Sequence, residues 1–216
     1  MTKLTDVELL RRANSFTTGR DSHMTLAKAY RAGHSPIRTQ LFWVECTDIP
    51  LFVASQLVRS HVGVQFFQRS KRTDRGGEDF RKECESIADS VHSLRSSDID
   101  REQHVDICQE IVNLPLRFDR YAPTDLMCLI NAEAIINMSR KRLCTKASKE
   151  TREIWQKVCE LIEECDPDLY QYLVPQCVYR GGICPESKCC GYIASEKGQS
   201  RLKFYKALFN QKNNSK

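Results

Sequence analysis

"AGHSPIRTQLFWVECTDIPLFVASQLVRS", residues 32–60, packs a helix stop, a turn, a strand and a helix start into one short stretch. Gly33 closes a helix read over residues 22–32. Gly33-His34-Ser35-Pro36 reads as a turn, and on this tetrapeptide alone His34 is simply exposed. "TQLFWVECT" (39–47) is rich in β-formers and reads as a strand. Pro50 suits the first turn of a helix over 50–60, in which Leu51, Ala54, Ser55 and Val58 share helical spacing.

Upstream, residues 5–13 read as a short helix. Downstream, "VGVQFF" is strand-like, and "RTDRGGEDF" is a polar loop around Gly76-Gly77. Residues 79–95 and 98–113 read as two amphipathic helices joined at "RSSDID". "LPLRFDRYAPT" reads as a connector with two prolines, and Thr124 as the N-cap of a helix over 125–142. A further helix over 147–165 carries Ile154, Val158, Leu161, Ile162 and Cys165 on one stripe. From Pro175 the chain reads as irregular and Cys-rich, ending in a frayed basic tail. The expectation is an α+β fold with a small antiparallel sheet among helices, in a domain over 1–175 followed by a Cys-rich segment and basic tail over 176–216.

The chain has 216 residues, 41% hydrophobic and 28% charged, with a formal net charge of +5. That length can bury a real core, and the mild positive charge suits anionic ligands without implying nucleic acid. No apolar run approaches a membrane span and the N-terminus lacks an apolar leader core, so a cytoplasmic location is expected. The cysteines number 11, an odd count, and Cys108, Cys128, Cys144, Cys159 and Cys165 fall in helix-like stretches. They read as reduced, small hydrophobic side chains. In "CVYRGGICPESKCC", Cys177, Cys184, Cys189 and Cys190 match no standard zinc spacing, so no metal site is expected.

Two stretches carry possible chemistry. In "SQLVRSHVGVQFFQRSKRTDR" (55–75), Gln56 and Arg59 share a helix face, and basic groups past that helix end can converge on a phosphate. Phe66 and Phe67 are adjacent and so point to opposite faces, which makes a poor nucleic-acid patch. A solvated charged face is the common alternative. In "NAEAIINMSRKRLCTKASKETREIW" (131–155), Asn131 and Arg142 fall on one helix face, about 16 Å apart. A plain polar stripe is again the alternative.

The order of these segments resembles the flavin-dependent thymidylate synthases, the ThyX family. Its members carry a Gly-His segment, a Pro turn and an aromatic strand, then a helix ending Gln-x-x-Arg-His-Arg and a Ser-x-Arg. Later comes a helix reading Asn-x-Arg-x-x-x-Asn-x-x-x-x-Arg. Residues 32–60 and 131–150 are similar to these blocks, within a resemblance over about 20–175. This chain departs from the pattern at several places. Arg59-Ser60-His61 stands for Arg-His-Arg, Ser70-Lys71-Arg72 comes one residue late, and Glu133 stands where the family has Arg. Arg38 stands where the family has Glu, and Ile111 where an arginine reaches a neighbouring subunit's nucleotide, with Arg117 and Arg120 nearby.

The resemblance implies a homotetrameric enzyme that methylates C5 of dUMP without a Cys nucleophile. FAD reduced by NADPH, and methylenetetrahydrofolate, would be its cofactor and co-substrates, with no membrane or nucleic-acid partner. It implies Arg142 as the catalytic cation beside the uracil. Gln56, Arg59, Ser70 and Arg72 would hold the substrate phosphate and sugar, and His34, His61, Asn131 and Asn137 the flavin. Related flavin chemistry on a pyrimidine nucleotide, such as dUMP hydroxymethylation, and a non-catalytic nucleotide- or nucleic-acid-binding protein are the alternatives.

Overall fold

The structure, a computed structural model, describes residues 1–70, 80–93, 100–118, 120 and 122–210. Four strands, β1 (Thr2–Lys3), β2 (Leu41–Pro50), β3 (Val64–Gln68) and β4 (Pro123–Asn131), form a sheet in the order β1-β2-β4-β3. β1 pairs antiparallel with β2, setting Thr2 opposite Trp43. β2 and β4 are bonded at both ends, Ala132 N–H to the Gln40 carbonyl (2.9 Å) and Leu51 N–H to that of Ala122 (2.9 Å). β3 meets β4 through Asn131 N–H to the Gly63 carbonyl (3.0 Å) and Arg69 N–H to that of Asp125 (3.0 Å). Both pairings are therefore antiparallel, and the fold is α+β.

The chain forms two compact units, one of Met1–Glu45, Val58–Phe66 and Met127–Lys216, the other of Cys46–Leu57 and Phe67–Leu126. The first holds α1 (Val7–Thr18), α2 (Leu26–Ala32), α6 (Ala132–Arg142), α7 (Lys149–Cys165), α8 (Pro167–Tyr170), α9 (Gln176–Tyr179) and α10 (Glu196–Asn210). The second holds α3 (Leu51–Leu57), α4 (Phe80–Ser93) and α5 (Arg101–Phe118).

Gly33 ends α2, its N–H bonding the Ala29 carbonyl at 2.9 Å, and a 3-10 turn over Ser35–Thr39 leads into β2 as the sequence predicts. β2 runs on to Pro50, which is the last strand residue, so the following helix is only Leu51–Leu57. The expected helix over 125–142 is wrong in its first half. Residues 123–131 are β4, with Thr124, Leu126, Cys128 and Ile130 buried in strict alternation. Thr124 is a strand residue, and the true N-cap is Asn131, whose side-chain oxygen accepts from Ala134 N–H at 2.9 Å. Asn131 thus precedes the helix that Arg142 ends, rather than sharing a helical face with it.

Three further expectations change. α5 continues through Pro115 to Phe118, where a connector was expected; proline deletes one helical hydrogen bond without stopping a helix whose flanking turns persist. The C-terminal stretch is not frayed over 196–210 but forms α10, burying Gly198, Leu202 and Tyr205. On α7 the buried stripe is Thr151, Trp155, Val158, Cys159 and Ile162, while Leu161 is exposed. The expected loop around Gly76-Gly77 and the "RSSDID" joint fall largely outside the described residues. Among the described residues no helix is long and apolar enough to cross a membrane.

One buried carboxylate ties three parts of the first unit together. Asp166, 2% exposed, accepts from Lys3 Nζ (2.7 Å) on β1 and the Tyr30 hydroxyl (2.7 Å) on α2. Its other oxygen accepts Leu169 N–H (3.0 Å), capping α8. Burial, and then the carboxylate beside it, push the Tyr30 phenol above its ordinary value, so it remains a donor. Replacing Asp166 by Ala strands a buried hydroxyl and a nearly buried ammonium together. The expected cost is about 3 kcal/mol, read as a lower urea midpoint, against about 1 kcal/mol for Tyr30→Phe.

Candidate functional site

The chemistry-bearing residues of the first unit gather around α6. Its start is set by two backbone bonds, Asn131 N–H to Gly63 and Ala132 N–H to Gln40, with the Asn131 side chain closing the first turn. Gly63 has φ 76°, and a Cβ there would sit 2.6 Å from Asn131 Nδ2. Only glycine lets the Asn131 amide lie this close to the neighbouring backbone. Gly63→Ala therefore forces the cap to move, with an expected loss of about 1–3 kcal/mol in urea unfolding.

Arg142, the last residue of α6, is half-buried. Desolvation first, and the nearby Arg59 charge second, hold its guanidinium below the ordinary arginine range. Two guanidinium groups from distant parts of the sequence are thus close enough to repel. A bound anion relieves such repulsion, and arginine offers it forked, charge-assisted bonds. His61, exposed just past Arg59, bonds through Nδ1 to the Arg59 carbonyl at 3.2 Å.

His34 is exposed at the start of the 3-10 turn, where its carbonyl accepts from Ile37 N–H at 3.1 Å. Asn137 is exposed on α6 and accepts from Arg140 Nη1 at 2.9 Å, while the Arg140 guanidinium lies 3.5 Å from the Tyr179 ring centroid. Arg38 and Glu133, the two positions that break the ThyX-like pattern with opposite signs, bond each other. Arg38 Nε meets Glu133 Oε2 at 2.6 Å and Nη2 meets Oε1 at 3.3 Å, a forked pair. Glu133 and its hydrogen bonds in turn raise the Arg38 guanidinium above its usual range. The opposite signs of the two departures were the available signal for this pair.

The other assigned residues lie elsewhere in the chain. Gln56 on α3 and Ser70 beyond β3 are half-buried members of the second unit. Arg72 lies outside the described residues, as do Lys71 and Arg75. Arg69 turns out to be an ion-paired surface residue, with Nη1 3.0 Å from Asp125 Oδ2. Asp125 also accepts the backbone N–H of Asp48 (3.0 Å), a non-glycine residue at φ 54°. Arg120, one of the two arginines near Ile111, stacks over the Phe52 ring at 4.6 Å.

The cysteines divide by burial. Cys128, Cys159 and Cys177 are buried, and burial pushes the Cys159 thiol up to about 12, so it stays protonated. Cys108, expected as a buried hydrophobe, is exposed. Among the described residues no three His, Cys, Asp or Glu side chains are arranged to hold a metal ion. Exposed Cys190 is the exception in reactivity: the Thr145 hydroxyl, then the Tyr192 N–H, lower its thiol. A lowered value means thiolate forms at lower pH. Cys190 is thus expected to be the first exposed thiol alkylated by iodoacetamide near neutrality, as peptide mass spectrometry would show.

Residues 8–168 match the protein family described as "Thymidylate synthase complementing protein". Over 81 residues the chain is 32% identical to a flavin-dependent thymidylate synthase of Clostridium tetani (strain Massachusetts / E88), a match covering 37% of this chain and 32% of that relative. The matched part thus spans about a third of the relative's length. A crystal structure of the flavin-dependent thymidylate synthase ThyX of Helicobacter pylori with FAD and dUMP superposes with a TM-score of 0.55 at 14% identity. It covers 79% of this chain and 96% of that one. A second Helicobacter pylori ThyX structure with FAD and dUMP gives 0.51 at 16% identity, over 80% and 94%. These structures share the fold.

Proposed function

The chain belongs to the thymidylate synthase complementing protein family, the flavin-dependent ThyX thymidylate synthases, and from that premise we propose that it catalyses reductive methylation of dUMP at C5 to give dTMP. Methylenetetrahydrofolate is the carbon donor, NADPH the reductant, and the working form a homotetramer. The observation that supports this reading is the family match over residues 8–168, with Arg142 and Arg59 at their places in the ThyX-like pattern and near enough for the Arg59 charge to lower the Arg142 guanidinium. Two cations held within repulsive range fit the dianionic phosphate and electron-rich pyrimidine of a nucleotide.

Arg142 is fixed at the end of a capped helix and half-buried, so its charge is little screened. A fixed cation there stabilises negative charge developing on a pyrimidine oxygen as C5 becomes nucleophilic. Arg59, exposed in the turn after α3, is free to take the phosphate with a forked pair of N–H donors. By their places in the ThyX-like pattern alone, Gln56, Ser70 and Arg72 would be further contacts to phosphate and sugar. No cysteine attacks the substrate.

The donor set of the first unit also fits FAD. His34 and His61 present exposed imidazoles and Asn137 an exposed carboxamide whose oxygen accepts from Arg140, while the Asn131 oxygen is taken by the α6 cap. Those groups suit a pyrophosphate and the polar edge of a flavin ring. Reduced flavin supplies the reducing equivalents that turn the transferred carbon into a methyl group. The protein's own share is to bind, orient and keep a cation at the pyrimidine.

The test is spectroscopic and kinetic. Purified protein supplied with FAD is expected to be yellow, and Arg142→Ala to lower dUMP-dependent turnover about 100-fold or more without changing the urea midpoint. Arg59→Ala is expected to weaken dUMP binding about tenfold. Protein that stays colourless with FAD supplied overturns the proposal, and the mass of the product separates methyl from hydroxymethyl transfer.

A further inference from the structure

We propose a second ligand site between α7 and α10, fitted to a small organic anion that joins a planar ring to a phosphate or carboxylate. A cavity of about 640 Å³ lies there, within the size range of small-molecule sites. Arg142 is not in its wall, although Leu143, the next residue, is.

The helix periodicity explains how the cavity is lined. While α10 buries Gly198, Leu202 and Tyr205, its adjacent face turns Lys197, Ser200, Arg201 and Phe204 into the cavity. From α7, Arg152, Gln156 and Glu160 follow one another along the opposite wall. Three cations, Arg152, Lys197 and Arg201, thus face a single carboxylate, Glu160. That carboxylate already accepts from Gln156 Nε2 at 3.1 Å.

Both guanidinium groups are oriented by neutral partners. Arg152 Nη1 donates to the carbonyls of Thr145 (3.1 Å) and Ala147 (2.9 Å), and Arg201 Nη2 to that of Leu173 (3.2 Å). Among the described residues neither is ion-paired with a carboxylate. A guanidinium has five N–H donors, so each keeps donors for a ligand while its direction is already fixed. Aromatic surface lies beside this charge, with Arg201 5.4 Å from the Tyr170 ring centroid and 5.7 Å from that of Phe204. An isolated inorganic anion would use the cations and leave the rings to water. An aromatic anion uses both.

The experiment is calorimetric titration of the full chain with phenyl phosphate, benzoate and inorganic phosphate, repeated on Arg201→Gln, Lys197→Gln and Arg142→Ala. Trp155 gives a second readout in a Trp43→Phe background. Its indole donates to Ser139 (2.9 Å), whose hydroxyl lies 3.9 Å from Cys159 in the cavity wall. At least one aromatic anion is expected to bind and to shift Trp155 emission. It should bind about tenfold more weakly to Arg201→Gln, more weakly to Lys197→Gln and at higher salt, and unchanged to Arg142→Ala. Phenyl phosphate against benzoate decides the head group. Lys197 is exposed, so its variant tests the site even if Arg201→Gln unfolds. The proposal is overturned by no aromatic anion binding, by binding indifferent to both cation variants, or by inorganic phosphate binding as tightly as phenyl phosphate. Binding lost with Arg142→Ala also overturns it, and leaves the nucleotide reading intact.

Discussion

Two peptide N–H groups, those of Asn131 and Ala132, hold the point where β4 becomes α6. One reaches the Gly63 carbonyl beyond α3, the other the Gln40 carbonyl at the start of β2, and the Asn131 side chain then caps the helix. Once this junction is held on both sides, the direction of α6 is set. Everything that depends on α6 follows: Glu133 at its first turn, Asn137 at mid-length and Arg142 at its last residue. Arg59 lies four residues before Gly63 in the chain, and its charge reaches Arg142.

Among the described residues of the basic stretch over 55–75, Arg69 is ion-paired with Asp125, whereas Arg59 lies within range of another cation's charge. An exposed arginine beside a carboxylate gives a modest, screened attraction, while two arginines within reach of each other's charge disfavour one another. Sites for anions can be recognised from that unfavourable arrangement better than from the density of positive charge.

Local signals carried much of the fold into the sequence. Gly33, the β-formers of β2 and the long amphipathic period of α7 each act within one element, so these elements were legible, although the buried stripe of α7 differs from the expected one. β4 did not, because "LMCLI" is a run of apolar residues that suits a buried helix as well as a strand, and Thr124 serves both as cap and as strand residue. α10 was missed for a different reason. Its glycine and its many basic residues argue against a helix, yet Gly198 is what allows close approach to the Tyr192 backbone, and Leu202 and Tyr205 supply the burial. The candidate site was legible as a list of residue types in order. Which of them meet was not, since the electrostatic influence of Arg59 on Arg142 and the pairing of Arg38 with Glu133 both join residues far apart in the chain.

That last pair couples two positions through sign alone. Arg38 and Glu133 meet through one guanidinium edge, its Nε and Nη2, so reversing the charge at either one alone sets like charges facing each other beside the first turn of α6. The pair is thus one electrostatic unit, whose sign can be reversed only at both positions together if the attraction is to be kept.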